Sequence, residues 1–212
     1  MSLVWVQSID SVAKLALWEI TEEIEELRNQ FRGSDEDLAE FTQITHPQKQ
    51  REFLASRLLI QTLLEQTGFP YQGIMKDEFD KPSLKNTHGH FSLSHTTQWA
   101  AVVWHPTARV GLDIEPISEK LRVVAHKFLN ESEFQHANSE LERLAIYWTA
   151  KEALYKLHGQ KKLSFKANIP IEPFHERADY VKGWLKTPDW NQPYDLSVWR
   201  PEGHILTVAV EG

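Results

Sequence analysis

Apolar and polar positions alternate with two different periods along the chain. Residues 3–7 (LVWVQ) alternate and predict a short strand. Over 21–31 (TEEIEELRNQF) acidic residues fill the first turns, and Ile24, Leu27 and Phe31 fall at helical spacing. This predicts a surface helix capped by Thr21. A longer helix is predicted over 47–66. Pro47 suits its first turn, Phe53, Leu54, Leu58, Ile60, Leu63 and Leu64 supply its buried face, and Gly68 lies just past its end. Residues 68–90, rich in Gly, Pro, Asn and His, read as loop. Strands are then predicted at 90–94, 98–104 and 108–115. Residues 119–158 read as helical, broken near Asn130, with the strongest run over 139–158 closed by Gly159. Three further strands are expected around 179–186, 194–199 and 204–210.

A strand, helices, a long charged helix and strands follow in that order on both sides of residue 108. The order predicts an α+β chain with an N-terminal subdomain, 1–107, and a C-terminal subdomain, 108–212, facing each other across a cleft. A hydrophobic content of 41% and a charged content of 25% are ordinary for a globular protein. The chain has no cysteine, which excludes disulfides, thiolate metal sites and a cysteine nucleophile. The opening residues MSLVWVQSID lack the basic stretch and apolar run of a secretory signal, and no run approaches a bilayer span of ~20 apolar residues. No membrane association is expected, and a cytoplasmic location is. The formal net charge of -7 argues against a nucleic-acid binder, so any anionic ligand must be held by a local cluster of cations.

Four groups of residues carry candidate chemistry. In Gly111-Leu112-Asp113-Ile114-Glu115-Pro116, residues two apart on a strand share a face. Leu112 and Ile114 are therefore expected inward, and the two carboxylates outward together. Such a pair suits Mg²⁺, a hard ion that takes one or two carboxylates plus phosphate oxygens; it also suits a solvated strand edge. Glu152 and Lys156 stand four apart on a predicted helix, as metal ligand and phosphate partner or as a routine surface ion pair. Ser92, Ser94 and His95 fall at a strand-to-turn junction able to hold a phosphate. His88, His90 and His95 lack the fixed ligand spacing and acidic partner of a zinc site. Lys49, Arg51, Arg57 and Lys81 supply cations, of which the arginines offer a planar fork to phosphate oxygens. No G-x-S-x-G elbow, Walker A loop or H-E-x-x-H is present.

Taken together and in this order, Gly111–Glu115 and Trp148-Thr149-Ala150-Lys151-Glu152-Ala153-Leu154-Tyr155-Lys156 resemble the Sfp-type 4′-phosphopantetheinyl transferase family. Ser92-Leu93-Ser94-His95, Arg51–Arg57 and Phe128–Glu133 extend the likeness, which spans roughly residues 49–165. Asp80 and Ser56 depart from it, standing where the family favours glycine. The resemblance implies two similar subdomains in a pseudo-twofold arrangement within a monomer. It implies that Asp113, Glu115 and Glu152 hold Mg²⁺, with Mn²⁺ equally served by oxygen ligands. Lys156 and Lys151 would neutralise the pyrophosphate of coenzyme A, and Arg51, Arg57, Lys81, Ser94 and His95 would hold its phosphates. Asp113, Glu152 and Lys156 would be catalytic, with Glu152 the candidate general base. The implied reaction moves 4′-phosphopantetheine from coenzyme A to a serine of an apo acyl or peptidyl carrier protein, in the manner of a holo-[acyl-carrier-protein] synthase. Two readings compete: a non-catalytic module that binds coenzyme A or a carrier protein, and a magnesium-dependent phosphohydrolase sharing only the carboxylates.

Overall fold

The two periodicities resolve into strands and helices in a computed structural model that describes residues 3–9, 11–76, 82–159 and 163–212. The chain is an α+β protein whose contacts separate two compact units, Met1–Ala108 and Arg109–Gly212.

The first unit contains β1 (Leu3–Ser8), β2 (Lys14–Glu19), α1 (Ile24–Gln30), α2 (Asp35–Gln43), α3 (Pro47–Gln66), β3 (Ile74–Lys76), β4 (Pro82–Leu84), β5 (His90–His95) and β6 (Trp99–His105). β1, β2, β6 and β5 form an antiparallel sheet in that order, and β3 and β4 make a separate ribbon. Ala16, Trp18, Ala100, Val102 and Trp104 from one sheet face share a core with Leu54, Leu58, Leu63 and Leu64 of α3. Every residue of β6 is buried, which is why its run reads as continuously apolar rather than alternating. β2 and α2 were not expected. α2 shows little periodicity but carries a start signal: Ser34 Oγ accepts from the Asp37 N–H, and the Asp37 carboxylate accepts from the Ser34 N–H, both at 3.2 Å. α1 begins at Ile24 rather than after Thr21, because the Glu26 side chain accepts from the Glu23 N–H and makes Glu23 the cap.

The second unit contains β7 (Val110–Pro116), α4 (Lys120–Phe128), α5 (Glu131–Ala137), α6 (Leu141–His158), α7 (Phe165–Asn168), β8 (Tyr180–Thr187), β9 (Trp190–Trp199) and β10 (His204–Val210). Its antiparallel sheet runs β7-β10-β9-β8. α6 is buried on nearly all sides, from Leu144 to His158, as expected of a helix that is apolar around most of its circumference. It ends at Gly159, whose φ of +73° places it in the left-handed region with its N–H on Tyr155 O. Gly111 is required by close approach: a Cβ there would lie 1.9 Å from Ala153 O and 2.7 Å from Leu157 N. The β7–β10 register is continuous through Gly111, so it marks no bulge.

Candidate functional site

That close approach decides which face of β7 meets α6. Residues 111, 113 and 115 share the side of Gly111 and lie toward the helix, while Leu112 and Ile114 occupy the other face. The expectation that both carboxylates point outward is therefore corrected. Asp113 is 4% exposed, and Glu115 is half-buried. The sheet face called outward from the two-residue period is the one α6 covers. On α6 the helical spacing brings Glu152 and Lys156 to the same side. Lys156 Nζ donates to Asp113 Oδ1 at 2.8 Å, with the lysine side chain 30% exposed and the aspartate 5%.

The carboxylates act on one another. Glu152 is pushed up to about 7, first by burial and then by the Asp113 charge, with Lys156 pulling the other way and Glu115 adding to the rise. Glu115 is also raised, by burial and by Asp113, against a lowering hydrogen bond from Trp148 and the charge of Lys156. Three carboxyls thus share one ammonium in a site half withdrawn from water, a donor set and charge suited to a hard cation. Among the described residues, no three carboxylate or imidazole groups stand close enough to form a ready-made metal cage. A cation here would have to complete its shell from water and ligand oxygens, as Mg²⁺ commonly does.

Lys151 is corrected as a coenzyme contact. Its side chain is fully buried on the far side of α6 from Lys156, and its ammonium donates to Glu133 Oε1 (2.8 Å), Phe165 O (2.9 Å) and Ile169 O (2.6 Å). An ammonium has three protons, and all three are used. Glu133 is equally engaged, accepting also from the Asn130 and Ile171 N–H groups at 2.8 Å each. The pair pins α5, α6 and the segment around α7 together. Burial lowers the Lys151 pKa, partly offset by Glu133.

In the first unit the expected cations divide. Arg57 is corrected: it is 6% exposed, donates through Nε to Asp37 and through Nη2 to Glu40 at 3.0 Å each, and stacks over Phe53. Tyr71 adds a fourth group, its hydroxyl donating to Asp37 at 2.8 Å. Arg57 therefore holds α2 against α3. Arg51 stands near the start of α3, its Nη2 donating to Gln48 Oε1 at 3.0 Å. Gln48 in turn donates to Thr97 O at 3.0 Å, which ties this end of α3 to the β5–β6 turn beside Ser94 and His95. His95 Nδ1 lies 3.2 Å from Glu52 Oε2. Lys81 and Asp80 lie outside the described residues.

The sequence reading missed Trp148, Glu133, Glu52 and Asp37 as participants. Three had a visible signal. Asp37 and Glu133 occupy the third position after Ser34 and Asn130, the pattern of a capping box, which α5 repeats. Trp148 stacks edge-on against Phe128 at 5.0 Å and lies near Phe165 at 5.7 Å, an aromatic setting that fixes the indole beside Glu115. Lys49, three residues before it on α3, is a local sign of Glu52, whose second partner, His95, lies in β5 and has none.

The stretch that builds the carboxylate–lysine site is also the stretch with known relatives. Residues 109–209 match the family model of the 4′-phosphopantetheinyl transferase superfamily. The chain is 32% identical over 161 residues to the 4′-phosphopantetheinyl transferase gsp of Aneurinibacillus migulanus, covering 72% of this chain and 63% of the relative. It is 34% identical over 110 residues to psf-1 of Bacillus pumilus (49% of this chain, 45% of the relative). It is 27% identical over 146 residues to HetI of a Nostoc species, covering 59% of each. Both are also named as 4′-phosphopantetheinyl transferases. By this match, residues 109–209 belong to the 4′-phosphopantetheinyl transferase superfamily. Its alignments span less than two thirds of the length of these relatives.

Proposed function

We propose that the chain transfers the 4′-phosphopantetheine group of coenzyme A to a serine hydroxyl of an apo acyl or peptidyl carrier protein. One observation carries the reading: in the segment that matches the superfamily, Glu152 is brought near neutrality beside Asp113, Glu115 and Lys156. A group that titrates near pH 7 is suited to accept a hydroxyl proton. The serine oxygen forms a bond to the phosphorus bearing pantetheine while the bond from that phosphorus to the oxygen of 3′,5′-ADP breaks. Glu152 takes the serine proton, and 3′,5′-ADP leaves with the bonding electron pair. Phosphoryl transfer is helped chiefly by positioning and by neutralising oxygen charge. Lys156, partly exposed, supplies one positive charge, and Asp113 holds it in place. Asp113, Glu115 and Glu152 would hold Mg²⁺, which would supply further charge neutralisation on the phosphate oxygens and lower the Glu152 pKa from its metal-free value, so that Glu152 meets the serine as a carboxylate. Arg51, Ser94 and His95 would bind coenzyme phosphates in the first unit, and Lys81 joins them by position in the sequence. α4 presents Val123, 72% exposed, between Arg122 and Lys127, and we take it as the docking surface for an acidic carrier.

The test is intact-mass spectrometry of a panel of apo carrier proteins incubated with the chain, coenzyme A and Mg²⁺. The expected result is a gain of one phosphopantetheine on some carriers, abolished by EDTA and by Glu152→Ala or Asp113→Ala. No gain on any carrier, with coenzyme A still bound, would turn the reading to a binding module. The carriers that gain mass separate acyl from peptidyl carrier specificity.

A further inference from the structure

One buried carboxylate in the first unit has no part in the reaction as described. Glu52, on α3, is 1% exposed. Its Oε2 accepts from Lys49 Nζ at 2.5 Å and lies 3.2 Å from His95 Nδ1. Its Oε1 is buried as well and has no hydrogen-bond partner among the described residues. Burying a carboxylate is costly unless it is paired. The two nitrogen groups on it both reach the surface, Lys49 with 62% and His95 with 37% of the side chain exposed. The anion thus lies beneath two groups that meet solvent, and one of them is a residue read above as a phosphate contact. Its distance from the imidazole is fixed by the scaffold, because Gln48 ties the same turn of α3 to Thr97 O, two residues beyond His95.

We propose that Glu52 is a positioning residue for His95. It accepts a hydrogen bond from Nδ1–H, fixes the orientation of the ring and favours its doubly protonated form, whose Nε2–H is then presented to a phosphate of coenzyme A. A carboxylate on one imidazole nitrogen is the usual way a protein selects what the other nitrogen does. With Nδ1 turned to Glu52, any contact the ring makes with a phosphate oxygen is made through Nε2. The same carboxylate anchors Lys49, so one buried carboxylate orders an ammonium at the start of α3 and an imidazole at the end of β5. That meets the need for a local cationic cluster in a chain of net charge -7. The inference rests on the reading of His95 as a coenzyme contact.

The experiment begins with ¹⁵N NMR of the histidine rings in the full wild-type chain, without ligand, at neutral pH. A proton on His95 Nδ1 is expected. Glu52→Gln, of nearly the same shape, should lower the Nδ1-protonated fraction and raise the KM for coenzyme A roughly tenfold, with kcat changed far less. A residue that only supports packing would leave the ring spectrum unmoved. A wild-type His95 that is neutral with its proton on Nε2 alone would overturn the inference, and so would a Glu52→Gln chain with unchanged ring spectrum and KM. If Glu52→Gln does not fold, the wild-type spectrum decides by itself. The ring spectrum needs no turnover, so a chain that modifies no carrier would sink the transferase reading while leaving the Glu52–His95 pair open to measurement.

Discussion

Lys151 and Lys156 lie five residues apart on one helix, and the structure gives them opposite jobs. Replacing Lys151 by methionine keeps the length of the side chain and removes the charge. Glu133 would then be a carboxylate 2% exposed, keeping two backbone N–H donors and losing its cation. The carbonyls of Phe165 and Ile169 would lose their donor too. Breaking a buried ion pair by removing one partner costs about 3–5 kcal/mol. At about 2–4 °C per kcal/mol for a chain of this size, the melting temperature should fall by about 6–20 °C. Pairing Lys151→Met with Glu133→Gln removes the stranded charge and should recover a large part of that loss, a coupling of about 2 kcal/mol or more. Urea unfolding followed by circular dichroism of the four chains provides the cycle. Lys156→Met should do the reverse, costing less stability than Lys151→Met because the lysine is 30% exposed, while lowering carrier modification by at least about tenfold. The reasoning is refuted if Lys151→Met unfolds within about 1 kcal/mol of wild type, or if it folds normally and raises the KM for coenzyme A.

Two further outcomes follow from the same helix. Glu152 is raised from 4.5 to about 7, so the folded carboxyl binds its proton more tightly than the unfolded one. Its contribution to stability is full below about pH 4.5 and is lost as pH rises to about 7, by at most about 3 kcal/mol. In EDTA, the stability of Glu152→Gln relative to wild type should therefore rise between pH 5 and 8; a flat difference in urea unfolding would contradict the assignment. Gly111→Ala would place a methyl 1.9 Å from Ala153 O, so α6 must move off β7, at a cost of about 1–3 kcal/mol. It should also weaken transfer by displacing Lys156 from Asp113, and wild-type stability in thermal unfolding would disprove the close approach.

Elements with strong local signals were legible. The bounds of α3 follow from Pro47, the leucine face and Gly68, and those of α6 from its apolar run and Gly159. β2 and α2 were missed for different reasons. β2 is short and is recognisable only through its neighbours β1 and β6, while α2 has a capping signal but little apolar periodicity. That miss misled the reading of Arg57, because Asp37 and Glu40, which absorb its charge, lie on the unseen helix.

Sequence by itself determined the chemistry on offer: two carboxylates two apart, a glutamate and a lysine four apart, and no thiol anywhere. Periods of two and 3.6 are local properties, so they tell which residues share a face. What covers that face is not local. Only the tertiary structure decided that the Asp113 face lies under α6, that Glu152 is driven near neutrality there, and that Lys151 is spent on Glu133 while Lys156 remains at the site. Burial and the charges of distant segments set those outcomes, and both depend on contacts between residues far apart in the chain.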